Sequence, residues 1–210
     1  MYKTLVCVII LLLLVLPNVF AQDSQIDNGN WFQRHFGQRM YFGFYDSIGD
    51  EKANVLQAGY DAGLNLVNIK PKWPLLEFYI GVSVWFVRDQ INKETKDNFG
   101  HTRTTDNRLI PAFELNWGVR LNYLYIPQIK TSLYLEAAPI TFVYYTQPYP
   151  DTGTNVNIGT HLGFGMKSQI NDTLDGFATL RIFSHTSNGQ AEETNPALDM
   201  VGLVLGLQFK

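Results

Sequence analysis

Eight stretches of β-branched, aromatic and leucine residues recur along most of this chain, and each stretch ends in turn-forming residues. Runs of this kind, with partial alternation of apolar and polar positions, are typical of β-strands. None of them shows the period of about 3.6 residues that marks an amphipathic helix. The sequence therefore predicts an all-β domain with strands at residues 40–45, 54–67, 75–87, 109–124, 131–145, 155–167, 174–187 and 198–209.

The connections between the predicted strands alternate in length. Those after the first, third, fifth and seventh strands span about 8, 21, 9 and 10 residues, whereas the other three span about 6 or 7. Short turns on one side and long loops on the other are the pattern of outer-membrane barrels, whose tilted strands cross a bilayer in about 9–11 residues. We therefore expect an eight-stranded antiparallel transmembrane β-barrel in a bacterial outer membrane.

Aromatic residues gather near the ends of the predicted strands, as expected of the girdles that a membrane barrel places at the lipid–water interfaces. The predicted girdle residues are Trp73, Tyr123 and Tyr125 at the short turns, and Trp85, Phe86, Tyr144 and Tyr145 at the long loops.

The first 21 residues have the features of a secretory signal peptide. An apolar run over residues 5–16 follows an early lysine and precedes a proline break and the small residue Ala21. A run of about 12 residues is too short to span a membrane as a helix. We expect cleavage between Ala21 and Gln22, a lead segment over 22–39 and a barrel over 40–210.

Charge and cysteine content narrow the possible functions. The formal net charge is −3, so the chain lacks the basic excess that nucleic-acid binding requires. Cys7 is the only cysteine and would leave with the signal peptide, which removes disulfides and thiolate metal sites from the mature chain. No grouping of His, Asp and Glu has metal-ligand spacing, so we expect neither a required metal nor a cofactor.

The last predicted strand indicates which face meets lipid. Its odd positions from 201 to 209 are large and apolar, while Gly202, Gly206 and Gln208 occupy even positions. In a small barrel the first set should face hydrocarbon and the second should fill the interior. Asp199 has an odd number and is therefore expected on the lipid-facing side.

The run Ser-His-Thr-Ser-Asn near the C-terminus holds a base and a nucleophile two positions apart. Alternate residues of a strand share a face, so His185 could take the proton of Ser187. If the hairpin is symmetric about Glu192, Asp199 lies directly opposite His185, where a carboxylate can orient the imidazole. This pairing would place all three side chains on the outer wall. Arg181 conflicts with it, because it shares the numbering parity of His185 and is unsuited to lipid.

These residues resemble the lipid A 3-O-deacylases of the PagL type, a family of eight-stranded outer-membrane esterases. The resemblance implies Ser187 as nucleophile, His185 as general base, Asp199 as orienting acid and Asn188 as oxyanion donor, with Asn195 in a supporting role. The family acid is normally glutamate, so Asp199 is a departure that shortens the reach by one methylene. The resemblance covers about residues 109–209, including the segments 111–115, 133–136 and 163–165.

The resemblance implies that lipid A of lipopolysaccharide is the substrate and that outer-membrane lipids surround the protein. Other interpretations of the residues stay open. Glu192 or Glu193 could supply the acid, and Ser187 with Asn188 could simply begin a turn. A phospholipase or an acyltransferase would use the same serine and histidine. A non-catalytic structural or binding barrel, or an inactive member of the family, would keep the same strands. The sequence leaves the oligomeric state undetermined.

Overall fold

The chain folds into ten β-strands in the computed structural model, which describes residues 36–48, 53–67, 76–90, 95–96, 102–103, 107–149, 154–187 and 197–209. The predicted signal peptide and most of the predicted lead segment lie outside these residues. The strands are β1 Phe36–Ser47, β2 Ala53–Val67, β3 Leu76–Gln90, β4 Thr95–Lys96, β5 Thr102–Arg103, β6 Asn107–Ile126, β7 Thr131–Tyr145, β8 Val156–Gln169, β9 Leu174–Ser187 and β10 Ala197–Phe209.

Eight of these strands close into one barrel, in the order β1-β10-β9-β8-β7-β6-β3-β2. All eight neighbouring pairs are antiparallel. The last strand closes on the first, with Phe209 paired to Gln38 and Met200 paired to Ser47. Closure satisfies the backbone hydrogen bonds that an open sheet edge would leave unpaired in lipid. The prediction of an eight-stranded antiparallel barrel is confirmed.

The strand limits agree with the sequence prediction except at a few ends. β1 begins at Phe36 instead of residue 40, and β3 continues to Gln90. The connection predicted as one long loop over 88–108 also contains β4 and β5, which pair as a separate two-stranded ribbon. Within the described residues, no helix is long and apolar enough to cross a bilayer. The turn between β6 and β7 is a 3-10 turn over Pro127–Ile129.

The barrel is apolar outside along its strands. On β10 the odd positions Leu203, Leu205 and Leu207 are exposed, whereas the even positions Val204 and Gln208 are buried inside. The predicted orientation of the last strand is confirmed. An exposed surface of this kind suits a lipid environment, because apolar side chains lose no hydrogen bonds when hydrocarbon replaces water around them.

Two of the aromatic residues predicted for the interfacial girdle lie inside the barrel instead. Trp85 and Tyr145 are both fully buried, while Tyr144 is exposed as predicted. Trp85 and Tyr145 occupy inward positions of β3 and β7. Side chains alternate between the two faces of a strand, and this alternation, not closeness to a strand end, determines that both rings lie inside. At the short-turn end Tyr123 and Tyr125 are exposed as predicted. Phe86 is half-buried, and Trp73 lies outside the described residues.

Charged side chains fill the middle of the barrel. The buried guanidinium of Arg120 contacts the carboxylates of Asp61 at 2.5 Å, Glu77 at 2.8 Å and Glu136 at 3.0 Å. Arg181 contacts the same Glu136 at 2.7 Å. Buried charges are unfavourable unless they are paired and hydrogen-bonded, and these five groups pair one another. Side chains of five strands, β2, β3, β6, β7 and β9, are thereby joined in the interior.

Aromatic residues fill the interior nearer the long loops. The Trp85 ring packs edge-on against Phe183 at 4.9 Å between centroids and stacks with Tyr45 at 6.1 Å. The indole Nε1 of Trp85 donates to Glu114 Oε2 at 2.9 Å. The described interior is therefore a packed core of side chains, as expected for a barrel of eight strands.

Candidate active site

The long-loop end of β9 carries the predicted base and nucleophile, and β8 and β10 flank it. His185 pairs with Leu198 of β10, and Asp199 pairs with Ser184. The pairing predicted from a hairpin symmetric about Glu192, which set Asp199 opposite His185, is therefore wrong by one residue. Because side chains alternate along a strand with a period of two, a shift of one residue changes which face each partner shares.

Up to Phe183, β9 directs its odd-numbered side chains into the barrel. Thr179, Arg181 and Phe183 are buried, whereas Leu180 and Ile182 are exposed on the outer wall. The conflict that Arg181 raises in the sequence is thus resolved, because this residue lies inside and pairs with an interior carboxylate. Odd positions face outward on β10, whereas the odd positions of β9 up to Phe183 face the interior.

Asp199 lies exposed on the outer wall of β10, as predicted. Its partner Ser184 is half-buried, and Ser184 pairs on its other side with the exposed Thr160 of β8. These three residues form one polar row across β8, β9 and β10. The hydroxyl of Thr160 donates to the backbone oxygen of Ala138 at 3.0 Å. The next outward residues of the same three strands are apolar: Leu162, Ile182 and Val201.

β8 supplies the other neighbours of the candidate residues. Gly159 pairs with His185, and Asn157 pairs with Ser187. Asn157 is fully buried, and its Nδ2 donates to the backbone oxygen of Tyr149 at 2.7 Å. The Oδ1 atom of Asn157 is buried without a hydrogen-bond partner.

The fold brings the backbone of His185 opposite Leu198, the residue before Asp199, on the adjacent strand. The side chains of His185 and Ser187 are outside the part of the chain that the structure describes. The remaining residues predicted for the site, or weighed as alternative acids, lie outside it altogether: Asn188, Asn195, Glu192 and Glu193.

His161 is an interior residue that sequence reasoning leaves unassigned. It is buried, and its Nε2 lies 2.9 Å from the hydroxyl of Tyr79. Its ring centroid lies 6.0 Å from that of Phe183, close to the end of β9. The interior carboxylates Glu114 and Glu136 were likewise noted only as parts of matching segments. Their signal in the sequence is a charged residue between two apolar neighbours: Phe113 and Leu115 flank Glu114, and Leu135 and Ala137 flank Glu136.

Among the described residues, no three His, Cys, Asp or Glu side chains are close enough together to hold a metal ion. The sequence at the end of β9 offers hydroxyl, imidazole, carboxamide and carboxylate groups. A hydroxyl beside an imidazole is the arrangement of nucleophilic acyl transfer.

The fold and the surface together define the class of this protein. A closed antiparallel barrel of eight strands, apolar outside and packed with paired charges inside, is an outer-membrane β-barrel. Residues 99–208, just over half of the chain, match the family described as lipid A 3-O-deacylase (PagL), and the chain belongs to that family.

Two solved structures with this fold are similar to the barrel. The crystal structure of the outer membrane enzyme PagL aligns with a TM-score of 0.55 and 11% identity, covering 80% of this chain and 97% of that one. Neisserial surface protein A (NspA) aligns with a TM-score of 0.54 and 14% identity, covering 83% and 96%. At such identities the similarity shows the fold alone. No curated protein matches the sequence.

Proposed function

We propose that this protein is an outer-membrane lipid A deacylase, a serine esterase that hydrolyses the ester at the 3-position. The family match carries the proposal, because residues 99–208 include nearly all of β6 to β10. The matched region therefore contains both strands on which the candidate residues lie. The apolar outer wall supports a lipid substrate, since acyl chains can remain against it while the ester reaches the end of β9.

Ser187 is the proposed nucleophile. Its hydroxyl oxygen attacks the ester carbonyl carbon while His185 takes the hydroxyl proton. Asn188 and nearby backbone N–H groups stabilise the tetrahedral oxyanion, with Asn195 in a supporting role. Collapse of this intermediate breaks the ester bond, and His185 returns the proton to the leaving sugar oxygen. Water then attacks the acyl-enzyme, and the free fatty acid and Ser187 are released.

Asp199 is the proposed orienting acid. The pairing of β9 with β10 determines whether its carboxylate can reach His185. In the described pairing Asp199 faces Ser184, one position away from His185. A carboxylate can hold the imidazole only if the last pairs of β9 move by one residue relative to β10. The contribution of Asp199 is therefore tested separately from those of Ser187 and His185.

The test compares the wild type with Ser187→Ala, His185→Ala and Ser184→Ala in vesicles that contain purified lipopolysaccharide. Ser184 is a matched control, because it is a serine on the same strand three positions away. The mass of lipid A is followed by mass spectrometry. We expect the wild type and Ser184→Ala to remove one hydroxyacyl unit, and the Ser187 and His185 variants to lose this activity.

Unchanged lipid A after incubation with correctly folded wild type would overturn the proposal. Folding is judged for each variant by the heat-dependent shift in gel mobility that folded barrels show. If Ser184→Ala loses activity and Ser187→Ala keeps it, the nucleophile is Ser184 instead.

A further inference from the structure

Phe183 is the last residue of β9 whose buried side chain the structure describes, and it lies just before the proposed catalytic residues. Its side chain is 1% exposed. His185 follows two positions later, about 7 Å farther along the strand, and Ser187 follows two positions after that. The contacts that fix Phe183 therefore fix the start of the segment that carries the proposed base and nucleophile.

Phe183 is contacted from the opposite side of the barrel. In the order of the barrel strands, β3 is four places from β9 in either direction, so these two strands face each other across the interior. The Trp85 ring of β3 meets the Phe183 ring edge-on, with 4.9 Å between the centroids and 70° between the ring planes. Aromatic pairs favour this geometry, so the contact orients the Phe183 ring as well as burying it.

Hydrogen bonds fix the Trp85 ring in turn. Its Nε1 donates to Glu114 Oε2 at 2.9 Å. The same carboxylate accepts from Gln57 Nε2 at 2.6 Å, Ser83 Oγ at 2.5 Å and Asn116 Nδ2 at 2.9 Å. Hydrogen bonds to a carboxylate are roughly twice as strong as those between neutral groups. The indole is thus bound to a carboxylate that side chains of β2, β3 and β6 surround.

The inward position of Phe183 limits where β9 can change its pairing with β10. The register partners of Phe183 on β8 and β10 are both buried. A shift of the whole strand by one residue would turn Phe183 to the outer wall and break its contact with Trp85. The movement that would bring Asp199 opposite His185 is therefore confined to the residues after Phe183.

We propose that Phe183, held by Trp85 and Glu114, is the anchor that positions the catalytic end of β9. Phe183 is a positioning residue, because its ring lies inside the barrel while Asp199 is exposed on the outer wall. It acts through the backbone of β9, which both faces of the wall share. Its effect on catalysis rests on the proposed function. A displacement of a catalytic group by about 1 Å can lower a rate by about 10²-fold.

Phe177 provides the matched control, because it is a phenylalanine on the inner face of the same strand, six positions earlier. It is also buried, and its ring packs against Arg39, with the guanidinium carbon 4.8 Å from the ring centroid. Phe183→Leu and Phe177→Leu make the same change and keep an apolar side chain. Both are compared with the wild type in vesicles that contain lipopolysaccharide, after urea unfolding has shown that each variant folds.

We expect Phe183→Leu to lower kcat for lipid A deacylation by about tenfold or more, because the proposed catalytic groups lose their position. KM should stay within about twofold of the wild-type value, because the interior ring does not touch the substrate. Phe177→Leu should leave both constants unchanged. The same kcat in the two folded variants would overturn the catalytic role of the anchor, and so would a rise in KM alone.

Trp85→Phe tests the same contact from β3, and it replaces Phe183→Leu if that variant does not fold. It removes the indole N–H that Glu114 accepts and part of the ring that meets Phe183. It should lower kcat with KM unchanged, and the double variant should be no slower than the slower single variant, because both changes break one contact. Multiplied losses in the double variant would show that the two residues act independently and would overturn the anchor.

The position of the end of β9 is measured without reference to activity, by hydrogen–deuterium exchange of the backbone amides in vesicles. In Phe183→Leu we expect the amides of residues 184–187 to exchange several-fold faster than in the wild type, whereas Phe177→Leu should leave them unchanged. Unchanged exchange over 184–187 in Phe183→Leu would overturn the anchor. An inactive wild type would overturn the catalytic role together with the proposed function, while the exchange still decides whether Phe183 fixes the end of β9.

Discussion

Asp199 pairs with Ser184 across the ladder between β9 and β10, and His185 pairs with Leu198. The carboxylate of Asp199 is exposed on the outer wall, whereas Leu198 is buried inside. The two members of the proposed acid–base pair therefore occupy adjacent register positions of opposite parity. A displacement of one residue at the end of a strand decides whether this carboxylate can reach the imidazole.

If Asp199 orients His185 as proposed, Asp199→Asn should lower the rate of lipid A deacylation by about 10²-fold or more, because an amide cannot stabilise an imidazolium as a carboxylate does. Asp199→Glu should keep most of the activity, since it retains the charge and extends the reach. The rates are measured from the lipid A mass over time in vesicles.

Asp46→Asn is the matched control for Asp199, because Asp46 is also an exposed carboxylate near the long-loop end, on the neighbouring strand β1. It should deacylate at the wild-type rate. Wild-type activity in Asp199→Asn would show that Asp199 is not the orienting acid. Glu192 and Glu193 would then be the remaining candidates for that role.

Arg120→Met should destabilise the barrel by about 3–5 kcal/mol, because it leaves the buried carboxylates of Asp61, Glu77 and Glu136 without their shared cation. Urea unfolding in vesicles, followed by tryptophan fluorescence, measures the change. Arg88→Met, on the exposed face of β3, should change the stability by less than about 0.5 kcal/mol. Similar stabilities for the two variants would show that the interior pairing contributes little.

Leu180→Arg should destabilise the barrel by about 2–4 kcal/mol in a bilayer, because it places a charge on the lipid-facing side of β9. Asp46→Arg, near the end of β1, should cost at most about 1 kcal/mol. Folding equilibria in vesicles compare the two. A small effect at Leu180 would contradict the membrane-facing assignment of this surface.

Lys130→Gly should stabilise the turn between β6 and β7 by about 1 kcal/mol or less. Lys130 adopts φ 48° and ψ 43°, a left-handed conformation that a residue with a Cβ atom adopts at a cost and glycine adopts freely. Lys130→Ala keeps the Cβ atom and should not stabilise the protein. Urea unfolding of the two variants checks the difference, and equal midpoints would refute the conformational explanation.

The strands and their lipid-facing residues could be predicted from local pattern. Outward positions such as Leu203, Leu205 and Leu207 are apolar because every outward position meets the same solvent, so alternation is visible in the sequence itself. The interior positions of Trp85 and Tyr145 could not be predicted from their closeness to a strand end. Whether such a residue lies inside or outside the barrel depends on its position in the alternation along the strand and on the register of that strand against its neighbours.

The sequence by itself determined the eight strands of the antiparallel barrel and the residue types available at the end of β9, because these depend on periodicity and on short motifs. Tertiary structure alone decided the register of β10 against β9, in which Asp199 meets Ser184 and not His185. The symmetry assumed for the connecting hairpin was one residue in error, and a shift of one residue reverses the faces. The contacts of Arg120 also arise only when the strands pair, because its carboxylate partners lie on three other strands of the barrel.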